Sequence, residues 1–144
     1  MTVAAHMPAS YLIDDRRRTI FSRAWGVLTD AGVIAHNRAL VQDPRFRADY
    51  SRLADFREVT ELRVSADVIQ REAALLALAP TARRAFVVST DLAFGFARMF
   101  QLAGAVSDDA LQVVRDLESG MAWIGLDPDT RWPAGAPDGV VEAE

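Results

Sequence analysis

The first apolar stretches of the chain alternate with a period of two. In TIFSRAWGVL, residues 19–28, Ile20 and Ala24 fall on one set of alternate positions, and Phe21 and Trp25 fall on the other. This period is that of a β-strand whose two faces differ. The run YLID comes just before it and is joined to it by a charged turn containing three arginines. The two runs therefore predict a β-hairpin.

From Thr29 onward, the pattern changes to one in which helices alternate with strands. The segment TDAGVIAHNRALVQD predicts a helix that Thr29 caps and that ends before Pro44, whose ring disfavours a helical conformation at the preceding residue. One arc of this helix is apolar and should face the core: Val33, Ile34, Leu40 and Val41.

The remaining segments predict, in order, strand 51–59, helix 65–78, strand 83–89, helix 91–104, strand 110–117 and helix 118–126. Alternating strands and helices favour a mostly parallel sheet covered by helices, and the opening hairpin makes the sheet mixed. We therefore predict one α/β domain over residues 10–126, with a five-stranded sheet and four helices. A loose lead-in over residues 1–9 precedes it, and a flexible tail rich in Pro, Gly and acid follows over residues 127–144.

Composition removes several classes of function. The chain has 144 residues and a net charge of −4, so it is a poor candidate for binding nucleic-acid phosphates. It contains no Cys and no Lys, which excludes disulfides, thiolate chemistry and lysine Schiff bases. No signal-peptide pattern and no apolar run long enough for a membrane span is present, and we expect a cytoplasmic protein without an integral membrane segment.

No pattern in the chain points to catalysis. A nucleophile paired with a base, a paired-carboxylate spacing and a Gly-rich phosphate loop are all missing, so we predict no catalytic residues and no cofactor. The two histidines, His6 and His36, lack further ligands at workable spacing, so we predict no metal site. We interpret His36 as a partly buried residue with a local hydrogen bond.

Apolar side chains on the predicted helix 91–104 are the main candidates for ligand binding. Its wide apolar arc should pack on the sheet: Leu92, Phe96, Met99, Phe100 and Ala103. Phe94 projects from the opposite side, either half covered by a neighbour or acting as a lid, a homodimer contact or a membrane-touching surface. Asn37, in the middle of the apolar arc of the first helix, either satisfies a nearby backbone group or anchors a ligand in a pocket.

Several segments resemble the SpoIIAA-like family, whose fold is the STAS fold of the anti-anti-sigma factors. The resemblance covers roughly residues 10–126 and rests on GVLTDAGVIAHNRAL, QDPRF, RLADFREVTEL, STDLAFGFARMF and VRDLESGMAWIGL. It implies an STAS-like sheet. It also implies two functions: partner switching, as in the anti-anti-sigma factors, and carriage of an apolar ligand, as in the CRAL-TRIO lipid carriers of similar fold.

Ser65 is the residue on which the switching function depends. In the switching proteins, a strand containing an Asp leads to an Asp-Ser-x-Gly turn whose Ser is phosphorylated. Asp55 matches the strand, but ungapped counting places Val64 at the phosphorylated position and Ala66 at the Gly, so the motif is broken. We interpret Ser65 as a helix N-cap that accepts from the backbone of Asp67 or Val68, with regulation by phosphate as the alternative.

From these observations we predict a non-catalytic protein that binds a small apolar or lipid-like ligand, with transient membrane contact. The candidate ligand-binding residues are Phe94, Phe96, Met99, Phe100 and Asn37. The alternative is a protein–protein regulatory module of the anti-anti-sigma type that docks through the Ser65 end of its helix.

Overall fold

The computed structural model describes residues 9–75, 82–103, 110–127 and 129–130. Most of the predicted lead-in and tail, and residues 76–78 of the second predicted helix, lie outside these ranges. Within them the chain forms five strands and four helices: β1 (Ala9–Asp14), β2 (Thr19–Thr29), α1 (Asp30–Gln42), β3 (Ser51–Arg63), α2 (Ala66–Leu75), β4 (Arg84–Val87), α3 (Asp91–Ala103), β5 (Leu111–Val114) and α4 (Leu117–Trp123).

The strands form one sheet in the order β1-β2-β3-β4-β5. The hairpin strands β1 and β2 pair antiparallel, and the later neighbours all pair parallel. This confirms the predicted α/β class and the mixed, mostly parallel five-stranded sheet. Ala9 already belongs to β1, so the predicted lead-in is one residue too long.

The two faces of the sheet are covered by different helices. On one face, Phe21, Leu53 and Val87 pack against Met121 of α4. The other face packs against α1, which contributes Leu40, and against α3, which contributes Ala97. Helix α2 contacts both α1 and α3. The central strands are therefore buried on both faces, as expected when helices connect parallel strands.

Helix starts follow local hydrogen bonds. The Thr29 hydroxyl accepts from the Gly32 backbone N–H at 3.1 Å, which confirms the predicted cap of α1. The predicted strand 110–117 is too long, because the Asp116 carboxylate accepts from the Ser119 N–H at 2.7 Å and caps α4. Strand β3 instead runs four residues beyond its predicted end, to Arg63.

The buried faces of α1 and α3 differ from the predicted arcs. Val41 of α1 is 44% exposed, and the buried face of that helix is centred on His36 and Asn37. The same is true of three residues of α3.

Leu92 and Met99 of α3 are 63% and 43% exposed, and Ala103 is exposed as well. The predictions for Val41, Leu92, Met99 and Ala103 were wrong because polar residues of both helices have partners inside the protein. In α3, for example, the buried Gln101 donates to the Leu111 carbonyl at 3.1 Å.

Candidate ligand cavity

A cavity of about 130 Å³ lies between the sheet and helices α1, α2 and α3, and it is partly open to solvent. Most of its wall is apolar. The apolar side chains come from strands β1 to β4 and from all three helices, among them Leu28, Val33, Phe56, Ile69, Phe86 and Ala97. An apolar cavity of about 150 Å³ is large enough to hold a benzene-sized molecule. The space therefore suits a small apolar compound or a short chain.

Three of the five predicted ligand-binding residues line this cavity. Phe96 and Phe100 face it from α3, and Asn37 faces it from α1. Met99 does not line it, since its side chain points toward solvent. Phe94 does not line it either: it is half-buried against the cluster of Phe86 and Ala97, and the Arg115 guanidinium lies 4.9 Å from its ring centre.

One part of the cavity wall is polar and contains the guanidinium of Arg52. This residue is 7% exposed, and its Nε donates to the Ser22 hydroxyl at 3.3 Å. No carboxylate among the described residues lies within 4 Å of it. Burial and the charge of Arg84, its neighbour on β4, lower the pKa of Arg52 to about 9. Arg52 therefore remains a buried cation at neutral pH.

His36 lies beside Arg52 and is held in its neutral form. The Arg52 Nη2 is 3.4 Å from His36 Nε2. Because a guanidinium only donates, Nε2 must accept, and the proton of the neutral ring is then on Nδ1. Burial and the Arg52 charge lower the pKa of His36 to about 3, in agreement with a neutral ring. Nδ1 is buried and has no hydrogen-bond partner among the described residues.

Asn37 and Glu72 form a second buried polar pair in the wall. The Asn37 side-chain amide donates to the Glu72 carboxylate at 3.0 Å, and both residues are 7% exposed. Asn37 therefore bonds to a side chain, whereas one of our two sequence interpretations gave it a backbone partner. The pair joins α1 to α2 above the sheet.

Two other charged residues of the wall, Asp55 and Arg23, are paired with opposite charges. Asp55 accepts two side-chain hydrogen bonds from Arg57, at 2.9 and 2.8 Å, in the paired geometry that guanidinium and carboxylate favour. Arg23 pairs with Glu58. Among the described charged residues of the wall, Arg52 and Glu72 are thus the two that form no ion pair: Arg52 donates to the Ser22 hydroxyl and His36, and Glu72 accepts from the Asn37 amide.

Ser65 is exposed and lies away from the cavity. Its hydroxyl accepts from the Val68 N–H at 3.2 Å, which confirms the predicted N-cap of α2. Its own backbone N–H donates to the Asp30 carboxylate at 2.7 Å. A phosphate on Ser65 would therefore be attached to a residue that already contacts a carboxylate, whose like charge would oppose it.

Sequence reasoning missed Arg52 and Glu72, although the signal for each was present. The period of two in β3 places Arg52 on the same face as Ala54 and Phe56, inside a predicted central strand. Glu72 follows Val68 and Ile69 at helical spacing, in the middle of an apolar face. A charge at an otherwise apolar position is the pattern that identifies a buried polar site.

Comparison with known proteins finds no matching family model, curated protein or solved structure. In the part of the chain that the structure describes, no helix is both long and apolar enough to cross a membrane. The same residues contain no group of three or more His, Asp or Glu side chains arranged to hold a metal ion.

Proposed function

We propose that this protein binds a small apolar molecule in the cavity between its sheet and helices α1, α2 and α3. The observation that carries the proposal is the cavity itself, about 130 Å³ with a mostly apolar wall. Protein interiors are close-packed, so an apolar space of this size leaves its lining side chains without contacts that a ligand would supply. An SpoIIAA-like relationship, which the sequence resemblance implies, is compatible with this function.

The proposal is tested by filling the cavity. Ala97 is buried in the cavity wall on α3, and Ala103 is exposed on the same helix, so the same substitution can be made at both. Ala97→Leu places three additional carbons in the cavity, whereas Ala103→Leu places them in solvent. We expect wild type and Ala103→Leu to bind a neutral probe such as 1-hexanol or toluene in ligand-observed NMR, and Ala97→Leu to lose binding.

Native mass spectrometry of gently purified protein gives a second measurement. An adduct that is released on unfolding and is missing from Ala97→Leu would support the proposal, and its mass would narrow the class of ligand. If the wild-type protein binds neither probe and carries no adduct, the proposal is wrong. Binding that Ala97→Leu leaves unchanged would also contradict it, because the ligand would then lie outside the cavity.

The proposal includes transient membrane contact through the outer face of α3. Leu92, Met99 and Leu102 are 63%, 43% and 73% exposed, and their spacing places them along one side of the helix. The inner side of the same helix contributes Phe96 and Phe100 to the cavity. A helix with apolar residues on both sides is suited to touching a lipid surface while it covers a ligand.

A further inference from the structure

Arg52 suggests which chemical group the ligand carries. A buried cation is costly unless it is paired, and buried charges in proteins are normally paired or hydrogen-bonded to a group of opposite charge. Arg52 has only the Ser22 hydroxyl and His36 Nε2 as side-chain partners among the described residues. Its Nη1 makes no hydrogen bond to a described residue, so the guanidinium retains donors for another acceptor.

The neighbours of Arg52 reinforce its positive potential. Arg84 is the register partner of Arg52 on β4 and is buried, and its charge repels that of Arg52. His36 faces Arg52 with an acceptor nitrogen but contributes no negative charge. The two carboxylates among the described residues of the wall already accept hydrogen bonds: Asp55 from Arg57, and Glu72 from Asn37.

We propose that the ligand is a small apolar carboxylate whose anionic group pairs with the Arg52 guanidinium while its apolar part fills the cavity. This inference rests on the proposed function and specifies the charged group that the ligand carries. A planar guanidinium suits a carboxylate because its N–H groups match the two carboxylate oxygens. The Glu72 carboxylate faces the same cavity and opposes the charge of such a ligand.

Four six-carbon probes test the charge preference at pH 7. Hexanoate, hexanamide, 1-hexanol and hexylammonium share a chain and differ in the head group. We expect the wild-type protein to bind hexanoate at least about tenfold more tightly than hexanamide, because an ion pair with the guanidinium replaces a hydrogen bond to a neutral carbonyl. Equal affinities for hexanoate and hexanamide would overturn the inference. Tighter binding of hexylammonium would also overturn it, because the cavity would then be a cation site at Glu72.

Variants connect the preference to Arg52. Arg52→Gln should abolish the preference, so that hexanoate binds no more tightly than hexanamide. Arg38→Gln, which removes an exposed arginine of α1, is the matched control and should change neither affinity. Glu72→Gln should increase the preference for hexanoate over hexanamide, because it removes a negative charge from the cavity wall. An Arg52→Gln protein that is folded and keeps the preference would contradict the inference.

Two further measurements keep the test decisive. If Arg52→Gln does not fold, Arg52→Met, of similar length and without charge, replaces it. In the unsubstituted protein, the side-chain Nε–H signal of Arg52 should shift in ¹⁵N NMR when hexanoate is added but not when 1-hexanol is added. Equal shifts would overturn the inference while leaving the proposed function in place. If no probe binds, including 1-hexanol, the proposed function itself is wrong.

Discussion

His36 is the residue whose protonation should matter most for stability. Its ring is 8% exposed, faces the Arg52 guanidinium and meets the Tyr11 ring edge-on, with the centres 5.9 Å apart. Burial and the Arg52 charge both disfavour a positive charge on the ring. The folded protein therefore holds this histidine neutral across the pH range in which a free histidine becomes charged.

We predict that stability falls as the pH is lowered from about 6.5 toward 3. The pKa of His36 is 6.5 when unfolded and about 3 when folded, so the unfolded chain binds the extra proton in this range. The free energy of unfolding should then decrease by up to about 1.4 kcal/mol for each pH unit. Urea unfolding at several pH values measures the slope.

His36→Gln is the matched control for that slope. Glutamine can still accept from Arg52 but does not titrate, so the variant should show a flatter pH profile between about pH 6.5 and 4.5. Below that range the Asp43 carboxylate also loses stabilising bonds, since hydrogen bonds from Arg45 lower its pKa to about 2. Equal slopes for the two proteins above pH 4.5 would show that His36 is accessible to protons in the fold.

Helix α4 packs against the sheet at Gly120, where there is no room for a side chain. A Cβ atom at Gly120 would lie 2.9 Å from Leu53 Cδ1 and 3.1 Å from Val87 Cγ2. Both side chains are fully buried, so they have little room to move. Glycine at this position is thus what lets α4 lie against β3 and β4.

We predict that Gly120→Ala destabilises the protein by about 1–3 kcal/mol, because it overpacks this contact. Gly95→Ala is the matched control: Gly95 is exposed in the middle of α3 and has open space around it, so alanine should stabilise by about 0.5–1 kcal/mol. Chemical denaturation measures both. A stabilised Gly120→Ala protein would mean that α4 does not pack on Leu53 as described.

The positions of the helices and strands were easier to predict from the sequence than the faces that these helices and strands bury. Caps such as Thr29 and Ser65 act through neighbouring backbone groups, so a few residues of sequence contain the information. The burial of His36 and Glu72 depends on Arg52 and Asn37, which lie 16 and 35 residues away in the chain. The periodic pattern predicted that Val41 and Met99 are buried because they are apolar. It contains no information about the hydrogen-bond partners that allow polar residues of the same helices to be buried instead.

The candidate site was predicted only in part for the same reason. Phe96, Phe100 and Asn37 line the cavity as single helical positions that the pattern could identify. The site combines an apolar space with the Arg52 guanidinium, which has no carboxylate neighbour among the described residues. This combination depends on β3 lying under α1 and α2. That arrangement depends on the packing of the whole fold, so the residues that give the site its charge could not be identified from one sequence segment.

At the scale of the whole molecule, the outer face of α3 predicts an interaction with lipid. Replacing Leu92 and Leu102 by Ser should reduce sedimentation with phosphatidylcholine vesicles without affecting 1-hexanol binding, because neither residue lines the cavity. Replacing the exposed Val41 of α1 by Ser is the control and should leave sedimentation unchanged. If the wild-type protein does not sediment with vesicles, the membrane part of the proposal is wrong.

The order of the strands has a consequence for how the chain folds. Each strand pairs with the strand that comes next in the sequence, so no strand has to be inserted between two that are already paired. This order allows the sheet to grow strand by strand during synthesis. The described walls of the cavity come from residues before β5. The described residues that line the cavity are therefore all synthesised before β5 and α4, and the packing of β5 against α3 is added last.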